Sequence, residues 1–212
     1  MRGAAIPRTP VILIACVVLA GAAALVVWWR TAEGTAIAAS PGDRSVEAGF
    51  SRDMAVHHQQ AVEMSFIVRD RTDNQEVRTL AYDVINTQAT QRGMMLGWLE
   101  NWGLSKHSSR APMAWMAHGS MHEAKDGSLM PGMATNTQLD QLRKTKGRDA
   151  EVLYLKLMTA HHKGGVDMAR GAVDMADDEK VRRLARSMVE GQQADMDLMA
   201  DMLEQRGAKA ES

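Results

Sequence analysis

One stretch of this chain occurs twice, and no other feature limits its fold as strongly. Met54-Ala-Val-His57-His58, followed by Val62-Glu63-Met64, returns 104 positions later as Met158-Thr-Ala-His161-His162 and Val166-Asp167-Met168. Residues 50–103 align with 154–207 without a gap and share sixteen identities, where chance gives roughly three or four. Two copies of one supersecondary unit must bury their apolar faces on each other. Whatever that unit is, the architecture is built from a pair of it.

The composition points to helices. Aromatic residues make up only 4% of the chain, while methionine numbers 17. The core is therefore drawn from Ala, Val, Leu and Met, which favour helices over strands. In the first copy Ser45 reads as the N-cap of a helix running to about Arg71. Asp73 reads as the cap of a second, reaching about Trp102 and stopped by Gly103. In the second copy a helix runs from about Asp149 to Met175, and Asp177 caps a fourth that ends near Arg206 and Gly207. Short connections make each copy an antiparallel hairpin, 46–103 and 149–207. The prediction is an all-α four-helix bundle over 46–207. Its crossover, 104–146, carries Pro112 and Pro131 and room for a short helix over Thr137–Lys144. A crossover of this length is the connection found in ferritin-like bundles.

The N-terminus reads differently. Val11 to Trp29 is an uncharged apolar run of 19 residues, about 28 Å long as a helix, close to a bilayer's hydrocarbon thickness. Arg2 and Arg8 precede it, and Trp28, Trp29 and Arg30 close it. This pattern predicts a transmembrane anchor over 1–30 with a cytoplasmic N-terminus, a linker over 31–45 and an extracytoplasmic bundle. The rival reading is a signal peptide cleaved near Ala36-Ile-Ala38, giving a secreted protein. The single cysteine, Cys16, sits inside this run, so no disulfide forms within the chain. Beyond residue 30 the chain holds 22 basic against 26 acidic residues, which gives no basic surplus for nucleic acid.

The repeated motif carries the chemistry. At about 100° per residue, Phe50, Met54, Ala61, Met64 and Val68 form one apolar stripe, with His57 inside it and His58 on its edge. Glu63 falls on the opposite face. Met54 and His57 are about 4.5 Å apart along the axis and can chelate one ion. Met64, about 10.5 Å from His57, belongs to the core or to a separate soft site. The same holds for Met158, His161, His162 and Met168. Folding the hairpin brings Gln88 and Met95 level with the first set, and Gln192 and Met199, with Asp195 nearby, level with the second. Thioether and imidazole together select copper, Cu(I) above all. The candidate ligands are therefore Met54, His57, His58, Met158, His161 and His162, with Met64, Met95, Met168 and Met199 as further candidates. In the crossover, Met116, His118, Met121 and His122 form another Met/His cluster. The competing reading is structural: methionine fills helical cores, and a histidine on an apolar face is a hydrogen-bonded core residue. No Glu-x-x-His motif of a di-iron bundle occurs at Glu47, Glu63, Glu100, Glu151 or Glu190, and no catalytic constellation, phosphate loop or Cys-x-x-Cys is found.

Phe50 to Met64, Met130-Pro-Gly-Met133 and Leu157 to Met168 together resemble the bacterial family known as domain of unknown function 305. The resemblance covers about residues 45–206 and keeps the doubled His-His-x4-Glu/Asp-Met pattern, with Asp167 in place of Glu in the second copy. It implies a ferritin-like bundle, usually exported or tethered to the membrane, with some members associated with copper. On that footing the expected function is copper binding or buffering outside the cytoplasm. The alternative is a non-metal helical structural or interaction module of the cell envelope.

Overall fold

Each helix begins where a side chain can satisfy its free N–H groups. In the computed structural model, which describes residues 40–116 and 123–209, the Ser45 hydroxyl accepts from the Ala48 N–H and starts α1 (Val46–Arg69). Asn74 and Asp178 cap α2 (Gln75–Asn101) and α5 (Glu179–Gln205), one residue later than the expected Asp73 and Asp177. Thr135 and Gln138 form a reciprocal capping box at the start of α3 (Asn136–Lys144). The helix α4 spans Gly147–Met175. The long helices α2 and α5 end alike. Leu104 donates to the Leu99 carbonyl and Gly103 to that of Glu100; Ala208 and Gly207 do the same with Leu203 and Glu204. This six-residue closure needs a left-handed residue, and Gly103 and Gly207 supply it at φ of 69° and 60°.

All regular structure among the described residues is helical. The helices belong to the unit 41–212. Helix α1 packs along α2, α4 packs along α5, and the two hairpins join through α1 against α4, with α3 lying on both. The predicted anchor over 1–30 and the alternative signal segment lie outside the described residues. Among the described residues no helix is long and apolar enough to cross a membrane.

Two buried clusters build the core. One gathers Met64, Val68, Leu80, Tyr154, Leu155, Met158, Met199 and Leu203. The other gathers Phe50, Met54, Met95, Met113, Met130, Met168 and Met188 with Trp115. Burying a side chain of this size stabilises the fold by roughly 1.5–3 kcal/mol. Polar ties fix the hairpins to each other at both ends, again in duplicate. Glu47 accepts the N–H groups of Asp177 and Asp178 at the turn of the second hairpin. Its counterpart Glu151 accepts from the Thr72 hydroxyl at the turn of the first and from Arg206 at 2.7 Å.

The crossover is fastened to α1. Asp53 accepts the Met113 N–H at 2.7 Å and the Trp115 indole N–H at 2.9 Å. The Gln60 amide pairs with both backbone groups of Ala134. Against α4 the fit is backbone to backbone. A Cβ on Gly164 would stand 2.0 Å from the Pro131 carbonyl oxygen, and one on Gly132 would stand 2.3 Å from that of Ala160.

Candidate metal centre

Between the two core clusters lie the four histidines of the repeat, all fully buried. His57 and His161 face each other across the α1–α4 contact with ring centroids 3.8 Å apart. The His161 and His162 rings are 6.3 Å apart. His58 and His162 turn toward the second helix of their own hairpin, where the sequence repeat places corresponding partners. His58 Nε2 lies 2.8 Å from Gln91 Oε1, and His162 Nε2 lies 3.1 Å from Asp195 Oδ2. The other two meet backbone: His57 Nε2 lies 3.1 Å from the Pro131 carbonyl oxygen and His161 Nε2 lies 3.0 Å from that of His57.

Those partners set the tautomers. A carbonyl, an amide oxygen or a carboxylate can only accept, so each Nε2 carries the hydrogen and donates it. Burial keeps the His57, His58 and His161 rings neutral. It pushes His57 down to about 4 against the opposing pull of the Pro131 bond, and the nearby His162 adds to the depression. It pushes His58 to about 3, helped by His57, and His161 well below its ordinary value, helped by the other three imidazoles. A neutral ring protonated on Nε2 leaves a lone pair on Nδ1. All four Nδ1 atoms are buried and lack a hydrogen-bond partner. The neutral His57, His58 and His161 rings therefore present bare lone pairs in this buried layer. In the present arrangement no three His, Cys, Asp or Glu side chains among the described residues converge as a complete ligand set.

The methionines divide between the two core clusters. Met54 does not share a cluster with Met158, Met64 or Met199. It lies with Met95 of its own hairpin and Met168 of the other, while Met158 lies with Met199 and Met64. Because α1 and α4 run antiparallel, the near methionine of one copy meets the far methionine of the other. Met64 and Met168, two turns from the histidines of their own copies, lie in the core clusters of Met158 and Met54. All six are fully buried. Each of the two core clusters holds three of the six, in sets related by the internal duplication.

Other candidates fall elsewhere. In the crossover, Met116 is half-buried against the second cluster, whereas His118, Met121 and His122 lie outside the described residues. Met113, Met130 and Met133 are buried in the core. Glu63 reaches outward to Arg143, and Asp167 is exposed beside Arg170. Gln88 and Gln192 are buried but do not bond the histidines. That role belongs to Gln91 and Asp195, and the signal for it was the constant 33-residue step from His58 to Gln91 and from His162 to Asp195. Nothing in the sequence marked the Pro131 carbonyl as a partner of His57.

A helical protein made of two fused hairpins, with a doubled His-His layer at their contact, defines a recognisable class. The chain belongs to the family described as domain of unknown function DUF305, which matches residues 47–203. A DUF305 protein from Streptomyces coelicolor, a candidate secreted protein, is 55% identical; the match covers 81% of this chain and 99% of that one with a TM-score of 0.75. A DUF305 fragment from Deinococcus radiodurans is 29% identical over 76% of this chain and 96% of that one, with a TM-score of 0.63. CopM in its Cu(II)-bound form shares the fold at 21% identity, covering 76% of this chain and 97% of that one with a TM-score of 0.59. No functionally curated protein matches the chain.

Proposed function

We propose that this protein binds a soft metal ion, copper first, through its buried His/Met layer and holds it outside the cytoplasm. The observation that carries this reading is the set of four buried Nδ1 atoms without a hydrogen-bond partner. A buried polar nitrogen with no partner costs about 1–3 kcal/mol, and the duplication keeps four of them. A cation is the partner that would remove this cost. Neutral imidazole beside thioether selects Cu(I), and a monovalent soft ion that accepts few ligands does not need a set of three converging residues. His57, His58, His161 and His162 are the nitrogen donors in this reading. Met54, Met95 and Met168 on one side and Met64, Met158 and Met199 on the other are the sulfur donors. CopM, which shares the fold, has solved structures in Cu(II)-bound, Cu(I)-bound and, by soaking, Ag-bound forms, which supports copper as the ion to test. Export through the 1–30 segment, either as an anchor or as a cleaved signal, completes the proposal. The Met/His crossover around Met116, His118, Met121 and His122 is an auxiliary recruiting site.

The test is a Cu(I) titration of the metal-free protein followed by its melting temperature. Binding to the native state at a hundredfold excess over Kd stabilises it by about 2.7 kcal/mol, a shift of several degrees. The same titration on a variant with all four histidines changed to Asn should give no shift. If wild type shows no shift, the second reading stands: a structural histidine layer. The bonds from His57 to Pro131 and from His161 to the His57 carbonyl favour that reading, because they tie the hairpins to each other and to the crossover. Copper binding that survives in the four-Asn variant but disappears on deleting residues 113–133 would move the function to the crossover.

A further inference from the structure

The histidine layer is covered by the crossover on one side and lies beneath a cleft on the other. On the α1–α4 side the crossover lies across it, with the Pro131 carbonyl bonded to His57 and the loop seated against Gly164 without space for a methyl group. On the far side α2 and α5 hardly touch. Between them is a cleft of about 130 Å³ lined by Val84, Thr87, Gln88, Gln91, Ser187, Met188, Gly191, Gln192 and Asp195. Its walls are the duplication once more: Val84 corresponds to Met188, Thr87 to Gly191, Gln88 to Gln192 and Gln91 to Asp195. The cleft therefore sits on the internal two-fold relation, over the centre of the layer. Gln91 and Asp195 in its wall are the residues bonded to His58 and His162.

Its contents define the ligand. At about 130 Å³ the cleft is well below the roughly 300 Å³ at which pockets for organic ligands start. Asp195 is its only charged lining residue and is 40% exposed. Gln88 and Gln192 are 3% and 5% exposed, yet Gln88 Oε1 and both amide atoms of Gln192 lack partners. Gln192 is held close against the helix α4, where Gly165 leaves the space that its amide occupies. Two buried amide oxygens without donors, below one carboxylate, suit a small cation shedding its water.

We propose that the α2–α5 cleft is the passage by which a soft metal cation reaches the histidine layer. Asp195 attracts the ion, and the Gln88 and Gln192 amide oxygens replace its water in transit. The inference rests on the metal reading above and adds the route to it. Gly191 offers a way to plug the passage without disturbing the site: a Cβ there meets nothing within 4 Å. The probe is Ag(I), added as silver nitrate to the full-length protein, with uptake followed by stopped flow using a dye that reports free Ag(I). Gly191→Leu should slow both uptake and release about tenfold while leaving the equilibrium Kd within about twofold. Thr87→Leu, on the facing wall, should act in the same direction. Gly93→Leu, on α2 outside the cleft and equally uncrowded, should behave as wild type. Asp195→Asn should slow uptake several-fold at low salt and flatten its dependence on ionic strength. Wild-type uptake rates in both Gly191→Leu and Thr87→Leu would overturn the passage. So would a Kd weakened tenfold at an unchanged uptake rate. If wild type itself takes up no Ag(I), the metal reading fails and the passage falls with it.

Discussion

Acid should unfold this protein earlier than its carboxylates require, and the histidine layer sets by how much. The unfolded chain binds protons at each histidine below about pH 6.5. The folded chain does not, because burial holds His57 down to about 4 and His58 to about 3, with His161 displaced the same way. Folded values below unfolded ones mean that stability is complete above pH 6.5. It is lost as pH falls toward the folded values. Each histidine removes about 1.4 kcal/mol per pH unit in that window. At pH 5, His57 and His58 together account for a loss of about 4 kcal/mol, and His161 adds to it in the same direction. A domain's whole stability is about 5–15 kcal/mol, so the loss is a large share of the total. The assay is urea unfolding of the metal-free protein at several pH values from 7.5 to 5. Below pH 6 the slope of ΔG against pH, divided by about 1.4 kcal/mol, should count two to three protons. His58→Asn should lower that count by one. A flat ΔG between pH 7 and 5, or an unchanged slope in the variant, would refute the claim that these rings are held neutral by burial.

Two packing predictions follow from the polar ties. Gly164→Ala places a methyl group against the Pro131 carbonyl oxygen; urea unfolding should show a loss of about 1–3 kcal/mol, and limited proteolysis should cut the crossover faster. Glu151→Ala leaves the buried Arg206 guanidinium without its carboxylate and should cost about 3–5 kcal/mol, whereas the double change Glu151→Met with Arg206→Met should recover most of that loss.

The helical frame was readable because it rests on local rules. Ser45 and the two glycines, Gly103 and Gly207, act where side-chain chemistry puts them, since capping depends on neighbours within one turn. Asn74 and Asp178 displaced Asp73 and Asp177 because two adjacent residues could each accept, and the backbone chose between them. The buried face of α1 was harder to see. A single stripe suits a helix covered on one side, but α1 is covered by α2, α4 and the crossover, so His58 and Gln60 are buried as well. Axial distances within one copy said nothing about the other copy. The antiparallel contact of α1 with α4 reverses the order of its methionines. That is why Met64 pairs with Met158 rather than standing apart. The Pro131 carbonyl could not be found at all, because a backbone atom in a long connection carries no sequence signature.

The cross-copy pairing of the methionines says something about how such a layer can come into being. Met54 lies with Met168, and Met158 lies with Met64, so the face that one hairpin presents is also the face that it receives. That is the isologous contact of a symmetric dimer, drawn within a single polypeptide. A lone hairpin of this kind already carries both halves of its own complement. Joining two of them in one chain fixes their stoichiometry and frees the connecting segment to differ. It is this unduplicated segment, seated on one side only, that gives an otherwise two-fold object a back and a front.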